Sequence, residues 1–364
     1  MYQSPLPLEY ADLDPEICDR RISDAKAILG PRLVVLGHHY QRDEIIKHAD
    51  FRGDSYKLAK NAAAQPEAEF IVFCGVHFMA ESADILTPDH QKVILPNLAA
   101  GCSMADMANL FQVRNCWKEL DRVLGRGIEG VVPITYINSA ANLKAFVGEK
   151  GGVVCTSSNA DRAVNWALER GDKILFFPDQ HLGRNTGFKL GYDPETEMAL
   201  WDPFKPRGGN TEEQLRAAKF ILWKGHCSVH QRFTVEQIES ARAKYPNVTV
   251  MVHPECPLPV VQASDLNGST EAIIKAVTGG EPGSVWAVGT EINLVSRLAK
   301  ENPDKTIFCL DAKVCPCATM YRIHPSFLLW TLDHLVAGEV VNQISVPAKV
   351  KHFAHLALDR MLSI

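Results

Sequence analysis

The chain has 364 residues, 46% of them hydrophobic and 22% charged, with a formal net charge of -5; this is the balance of a soluble globular protein with material for two or three cores. The acidic balance, without a stripe of Lys and Arg, argues against a nucleic-acid partner, and no run approaches the roughly 18 apolar residues of a membrane-spanning helix. The opening MYQSPLPLEYADLDPE has neither a basic nor an apolar leader region, so a cytoplasmic location and reduced thiols for the ten cysteines are expected.

Short apolar runs rich in Val, Ile, Leu and Phe alternate with polar segments of helical period, the pattern of buried parallel strands and crossover helices. The predicted class is α/β. In chain order, one sequence of markers occurs three times. The first copy begins with a strand, RLVVLGHHY, ending at His38 and Tyr40, and passes through GDS with Ser55 and a strand FIVFCGVHF to Cys102. The second begins with GVVPITYIN, ending at Tyr136 and Asn138, and passes through TSSN with Ser157 and the strand KILFFPDQHLG to Cys227. The third begins with VTVMVHPE, ending at His253 and Glu255, and passes through NGST with Ser269 and Thr270 and the strand SVWAVGTE to TIFCLDAKVCPC.

From strand end to hydroxyl the spacings are 17, 21 and 16 residues (His38 to Ser55, Tyr136 to Ser157, His253 to Ser269). The middle copy is lengthened by a polar segment near 188–216, read as an insertion or a mobile loop. Three units follow: 20–112 with a C-terminal helical tail 325–364, then 113–232, then 233–324. Polar side chains at the carboxyl ends of parallel strands line ligand crevices. Three such units around a pseudo-threefold axis would aim three polar strand ends and three cysteines at one central cavity. A single polar strand end is ordinarily a solvated turn; the recurrence of strand end, hydroxyl and cysteine in one order argues for a shared site.

Structural zinc takes four ligands, often from C-x2-C pairs, and here the only close pair is Cys315 and Cys317 in C-x-C spacing. Three thiolates from three units suit a 4Fe-4S cluster with one iron left open as a Lewis acid. Cys74, Cys155 and Cys309 sit in apolar runs and read as buried hydrophobes; Cys18 and Cys116 lie in polar helical surroundings without a role.

The motifs GHHY at 37–40, GDSYKLA at 53–59, GVHFMAE at 75–81, GCSM at 101–104, YINSAANLKA at 136–145, PDQHLGRNTG at 178–187, WKGHCSVH at 223–230, VHPECP at 252–257 and CATM at 317–320 together resemble the quinolinate synthase A family of NAD biosynthesis. The resemblance runs from about Leu33 to the C-terminus. It implies three αβα domains with one active site where they meet, and condensation of iminoaspartate with dihydroxyacetone phosphate to quinolinate, phosphate and water. By position it makes His38, Ser55, Tyr136, Asn138, Ser157, His253, Glu255, Ser269 and Thr270 substrate-binding, and Cys102, Cys227 and Cys317 the ligands of the 4Fe-4S cluster. The ATM after Cys317 favours it over Cys315.

Substrates bearing carboxylates and phosphate call for hydroxyl, amide and imidazole donors. Proton transfers assign acid–base work to Glu255, Tyr40 and Tyr136, with His38 and His253 sharing it beside anion binding. A transient contact with the oxidase that supplies iminoaspartate is a further expectation. His181 and Arg184 are left between a site role and an interdomain one, and Glu291 is placed facing the cavity. His226 and His230 are read as outer partners of the Cys227 sulfur. His48, His90, His352 and His355 are read as solvated. The competing functions are a cluster-dependent hydro-lyase, an iron-sulfur electron carrier and a zinc-stabilised binding protein.

Overall fold

A computed structural model describes residues 3–311, 313 and 316–364. Cys315, the alternative third ligand, lies outside the described residues. Among these residues fourteen strands form three sheets. The first sheet contains β1 (Leu33–His38), β2 (Phe51–Gly53), β3 (Phe70–Cys74) and β4 (Lys92–Ile94). The second contains β5 (Val131–Tyr136), β6 (Val153–Cys155), β7 (Lys173–Phe177), β8 (Met198–Trp201) and β9 (Phe220–Trp223). The third contains β10 (Val248–Val252), β11 (Leu266–Asn267), β12 (Val285–Gly289) and β13 (Thr306–Cys309), and β14 (Gln343–Ile344) returns to the first sheet.

The orders are β14-β4-β3-β1-β2, β6-β5-β7-β9-β8 and β11-β10-β12-β13. Stripped of β14 and β8, all three have the same order: the fourth strand, the third, the first, the second. Pairing is parallel except for β14 on β4. The α/β class is therefore the observed one, and the repeat read from the markers is also a repeat of topology. The first strand of each copy is almost wholly buried because helices cover both faces of a parallel sheet, and this produces the unbroken apolar runs VVL, VVPI and VMV.

One repeated bond was not legible beforehand. Asp50 accepts from the Val35 amide at 2.8 Å in β1, and Asp265 accepts from the Val250 amide at 2.7 Å in β10. The corresponding residue of β5 is Pro133, which has no N–H to give, and the carboxylate is accordingly absent. Gly152 stands there instead, so close to the Pro133 carbonyl that a Cβ would collide with it.

The chain divides into two compact units. One holds the N-terminal part through Cys102, Glu291–Arg297 and the stretch ending at Pro347; it is built on the first sheet. The other holds Ser103–Thr290, the stretch from Leu298 and Ala348–Ile364, with the second and third sheets. The C-terminal tail is shared out: the helix Pro325–Val336 packs on the helix Pro15–Leu29, while the helix Ala348–Ser363 packs on the helix Ala141–Glu149 and on β6.

The segment near 188–216 is folded. It supplies β8, which extends the second sheet beyond β9, and the helix Glu212–Ala217, opened by a capping box from Thr211 and Gln214. Gly and Pro there make the turns around an edge strand.

Two expectations change, and two cysteines read without a role find their place. Cys18 and Cys116 are 2% and 1% exposed, because each lies on the one apolar stripe of an otherwise polar helix, Cys18 with Ile22, Ala25 and Leu29. Cys309 is only half-buried, since β13 is an edge strand. His48 is buried rather than solvated and pairs with Asp19 at 2.7 Å; burial pushes its pKa down, against the pull of Asp19.

Candidate active site

Each copy delivers its polar residues by the same local construction. The strand ends, the chain turns, and a hydroxyl sits at the start of the helix that follows the second strand. Ser55 opens the helix Ser55–Ala63, capped by Asp54, and Thr270 opens the helix Thr270–Thr278, capped by Ser269. Ser157 lies in the turn before the helix Ala160–Leu168. Backbone N–H groups and the helix dipole make these positions favourable for anions.

The strand-end histidines are fixed alike. His38 Nδ1 accepts from the Tyr40 amide at 3.1 Å, and His253 Nδ1 accepts from the Glu255 amide at 3.3 Å. With Nδ1 used as acceptor, a neutral ring carries its proton on Nε2, which makes that atom a donor.

In the unit built on the second and third sheets, Tyr136 and Glu255 meet although 119 residues separate them: the Tyr136 hydroxyl donates to Glu255 Oε1 at 2.6 Å. Glu255 Oε2 lies 2.8 Å from His230 Nδ1, and His230 Nε2 lies 3.1 Å from Thr290 Oγ1. His253 stacks on His230 with centroids 4.3 Å apart and planes at 13°. All five residues are buried. Burial drives the Glu255 pKa up, but His253, His230 and the Tyr136 hydroxyl together bring it down to about 2, so it is a carboxylate. Burial, and then the neighbouring His230, holds His253 down to about 3 and therefore neutral.

Cys227 completes this cluster: one donor atom each from Cys227, His230 and Glu255 lie within 4.8 Å of one another. Asn185 fixes the turn that carries Glu255, donating to the carbonyls of Pro254 and Cys256 at 2.7 and 2.8 Å. Buried Lys144 does the same for the turn after β5 by donating to the Ser139 carbonyl. A cavity of about 240 Å³ is lined by Ser157, Ser269, Asn185 and Lys189 among others, so hydroxyls of the second and third copies share one space. Asn138 Oδ1 and Asp179 Oδ2 are buried without a hydrogen-bond partner among the described residues.

In the unit built on the first sheet, His38 and Tyr40 are in edge contact, with rings 4.8 Å apart. Arg297, 7% exposed, clasps their turn by donating to the carbonyls of His39 at 2.9 Å and Gln41 at 2.5 Å. Cys102 follows β4, and Cys317 follows β13. Asn97 links the loops bearing them: its Oδ1 accepts from Ala99 N at 2.9 Å and its Nδ2 donates to the Arg322 carbonyl at 3.0 Å. Glu291 Oε1 accepts from the Cys317 amide at 3.2 Å, and burial pushes the Glu291 pKa up to about 7. Glu291 is thus tied to the backbone of a candidate ligand. Arg297, Asn97 and Asn185 were missed, because nothing local in the sequence marks a side chain that works on a carbonyl 69 to 258 residues away.

His226 is half-buried; His230, read as an outer partner of the sulfur, is also the centre of the buried chain. His181 faces Gln231 Oε1 at 2.5 Å, and Arg184 donates to Gln180 at 3.3 Å. Burial lowers the His181 pKa to about 4, with Gln231 opposing and Arg184 adding to the fall.

This shift makes a stability prediction. The unfolded-state value is about 6.5, above the folded one, so the unfolded chain binds more protons between the two. The contribution of neutral His181 is whole above pH about 6.5 and is lost as pH falls toward about 4. In that window the variant His181→Gln is expected to gain on wild type by at most about 1.4 kcal/mol per pH unit. Urea midpoints of both proteins at pH 7.5, 6 and 5 test it, and a pH-independent difference would refute the assigned burial effect.

Comparison with known proteins adds to this geometry. The family profile described as Quinolinate synthetase A protein matches residues 20–363. Among curated proteins, the quinolinate synthase of Corynebacterium glutamicum is 59% identical over 362 residues, covering 100% of this chain and 91% of the relative. Those of Herpetosiphon aurantiacus and Acidobacterium capsulatum are 56% and 57% identical over 357 residues, each covering 98% of this chain and 95% of the relative. Among the described residues no helix is long and apolar enough to cross a membrane.

Proposed function

The chain belongs to the quinolinate synthetase A family, and from that premise we propose that it condenses iminoaspartate with dihydroxyacetone phosphate to quinolinate, phosphate and water, in the cytoplasm, as a step of NAD biosynthesis. The observation that carries the proposal is the buried Tyr136–Glu255–His230 chain beside Cys227. It combines a phenol, a carboxylate held ionised and an imidazole in one hydrogen-bonded line, which is what successive proton transfers need.

We assign Cys102, Cys227 and Cys317 as ligands of a 4Fe-4S cluster. Their chemistry fits the group. Each is half-buried in the loop after the fourth strand of its copy. Cys74, by contrast, lies at the end of β3 and is fully buried. When bound, the cluster supplies one iron without a protein ligand as a Lewis acid. In this reading the three copies are αβα sandwiches around a pseudo-threefold axis, with the active site where they meet.

The side chains supply the rest. Ser55, Ser157, Ser269 and Thr270, at helix starts, receive the carboxylates and phosphate, and the Asn138 amide adds a polar contact. His38 and His253 present Nε2–H to the same anions. Glu255 accepts the proton removed in forming the carbon–carbon bond, His230 steadies the carboxylate, and Tyr136 and Tyr40 return protons during isomerisation and dehydration. Transient docking of the oxidase that makes iminoaspartate shortens the exposure of an unstable imine to water.

The test is iron, sulfide and quinolinate measured anaerobically in wild type and in Cys102→Ala, Cys227→Ala, Cys315→Ala and Cys317→Ala. About four irons per chain and turnover in wild type and Cys315→Ala alone is the expected pattern. Wild-type protein with neither iron nor turnover would overturn the assignment, and loss in Cys315→Ala with survival of Cys317→Ala would move the third ligand.

A further inference from the structure

Cys227, His230 and Glu255 form a set of sulfur, nitrogen and oxygen donors complete within one compact unit. We propose that the chain, when it carries no cluster, binds a single Zn²⁺ ion on Cys227 Sγ, His230 Nδ1 and Glu255 Oε2, with a fourth position left to water.

The geometry is near what such an ion needs. Zinc bonds of about 2.0–2.3 Å set neighbouring tetrahedral donors roughly 3.5 Å apart, and one donor atom from each of the three residues already lies within 4.8 Å of the others. The Nδ1 to Oε2 separation of 2.8 Å opens slightly as the ion enters. Both atoms are held from behind. Tyr136 occupies the other carboxylate oxygen at 2.6 Å, which leaves Oε2 for the ion, and Thr290 Oγ1 stands 3.1 Å from His230 Nε2. A metal-bound imidazole with a partner on its second nitrogen is the usual support of a zinc ligand. The stacked His253 fixes the plane of the ring.

Charge also favours the site. A thiolate and a carboxylate neutralise the ion, so a buried pocket holds no net charge. On binding, the Cys227 thiol proton leaves to solvent, and the ring proton of His230 resides on Nε2, where the Thr290 hydroxyl accepts it. The mixed donor set suits zinc, and Co²⁺ is an equivalent probe with a visible spectrum. Because Cys227 cannot serve both groups, zinc in this site excludes the cluster.

The test is titration of the full chain, stripped of iron by anaerobic chelation, with Co²⁺ and then Zn²⁺. One equivalent of Co²⁺ with a thiolate charge-transfer band, displaced by Zn²⁺, is expected. The band is lost in Cys227→Ala, affinity falls at least about 10-fold in His230→Ala, a loss that outer partners alone can produce, and it falls likewise in Glu255→Gln, a variant of unchanged shape. Cys102→Ala and Cys317→Ala bind as wild type, which separates this site from any built on the three cysteines. Absence of stoichiometric binding, dependence on Cys102 or Cys317, or indifference to both His230→Ala and Glu255→Gln would each overturn the proposal. Wild-type protein preloaded with Zn²⁺ is further expected to take up less iron until the zinc is chelated.

Discussion

Replacing Glu255 by glutamine is expected to slow quinolinate formation by about 100- to 10,000-fold, with iron content unchanged under anaerobic conditions. The substitution keeps the shape and removes the charge. In wild type the carboxylate accepts from Tyr136 at 2.6 Å and faces His230 at 2.8 Å, and it is 3% exposed. The neighbouring imidazoles and the phenol keep it ionised against the cost of burial. An amide there is no longer a proton acceptor. If the variant kept more than a tenth of wild-type turnover, Glu255 would be a structural residue and the proton-transfer role would pass to Tyr136 or His253. Measuring kcat and KM separately distinguishes the two cases, since lost proton transfer lowers kcat, whereas a disturbed binding surface raises KM.

The second large effect is expected at Gly148. Gly148 lies on the helix Ala141–Glu149 where the helix Ala348–Ser363 crosses it, and a Cβ there would overlap the carbonyl of Phe353. The obstacle is backbone on a long helix, so it cannot swing aside as a side-chain tip would. Gly148→Ala is expected to cost about 3 kcal/mol, the upper part of the range for overpacking, and to lower the thermal midpoint by several degrees. Gly127→Ala is the control: its added Cβ would meet only the Leu124 Cβ at 3.5 Å, an ordinary contact. Equal midpoints for the two variants would show that the helices separate at no cost.

The repeat was legible because its markers are local. A polar residue ending an apolar run, a hydroxyl at or just before a helix start and a cysteine after the fourth strand are each visible within a few positions, and the three sheets that carry them share one strand order. The meeting of Tyr136 with Glu255 could be expected only from the logic of strand ends, and the structure supplied its hydrogen bond. What stayed hidden depends on partners distant in sequence. His230 was read only from the cysteine motif beside it, and its bonds to Glu255 and Thr290, 25 and 60 residues on, had no local sign. His48 looked solvated because its neighbours are polar, but Asp19 covers it. Polar flanks likewise concealed the apolar stripe on which Cys18 and Cys116 sit. The exchange of Asp50 and Asp265 for a Pro133–Gly152 pair shows how a repeat survives substitution: when the donor disappears, so does its acceptor.

The helix Ala348–Ser363 also orders events during synthesis. It packs on the helix Ala141–Glu149 and on β6, and it clasps the turn that carries Ser157: Arg360 donates to the Gly152 carbonyl at 2.6 Å, and Asn159 donates to the Met361 carbonyl at 3.3 Å. Residues 152–159 leave the ribosome some two hundred positions before their partners do. Until residue 361 has emerged, the second sheet waits with an apolar flank exposed, so this part of the protein cannot mature before those two hundred further residues are made, and a holding chaperone has its natural place in that interval.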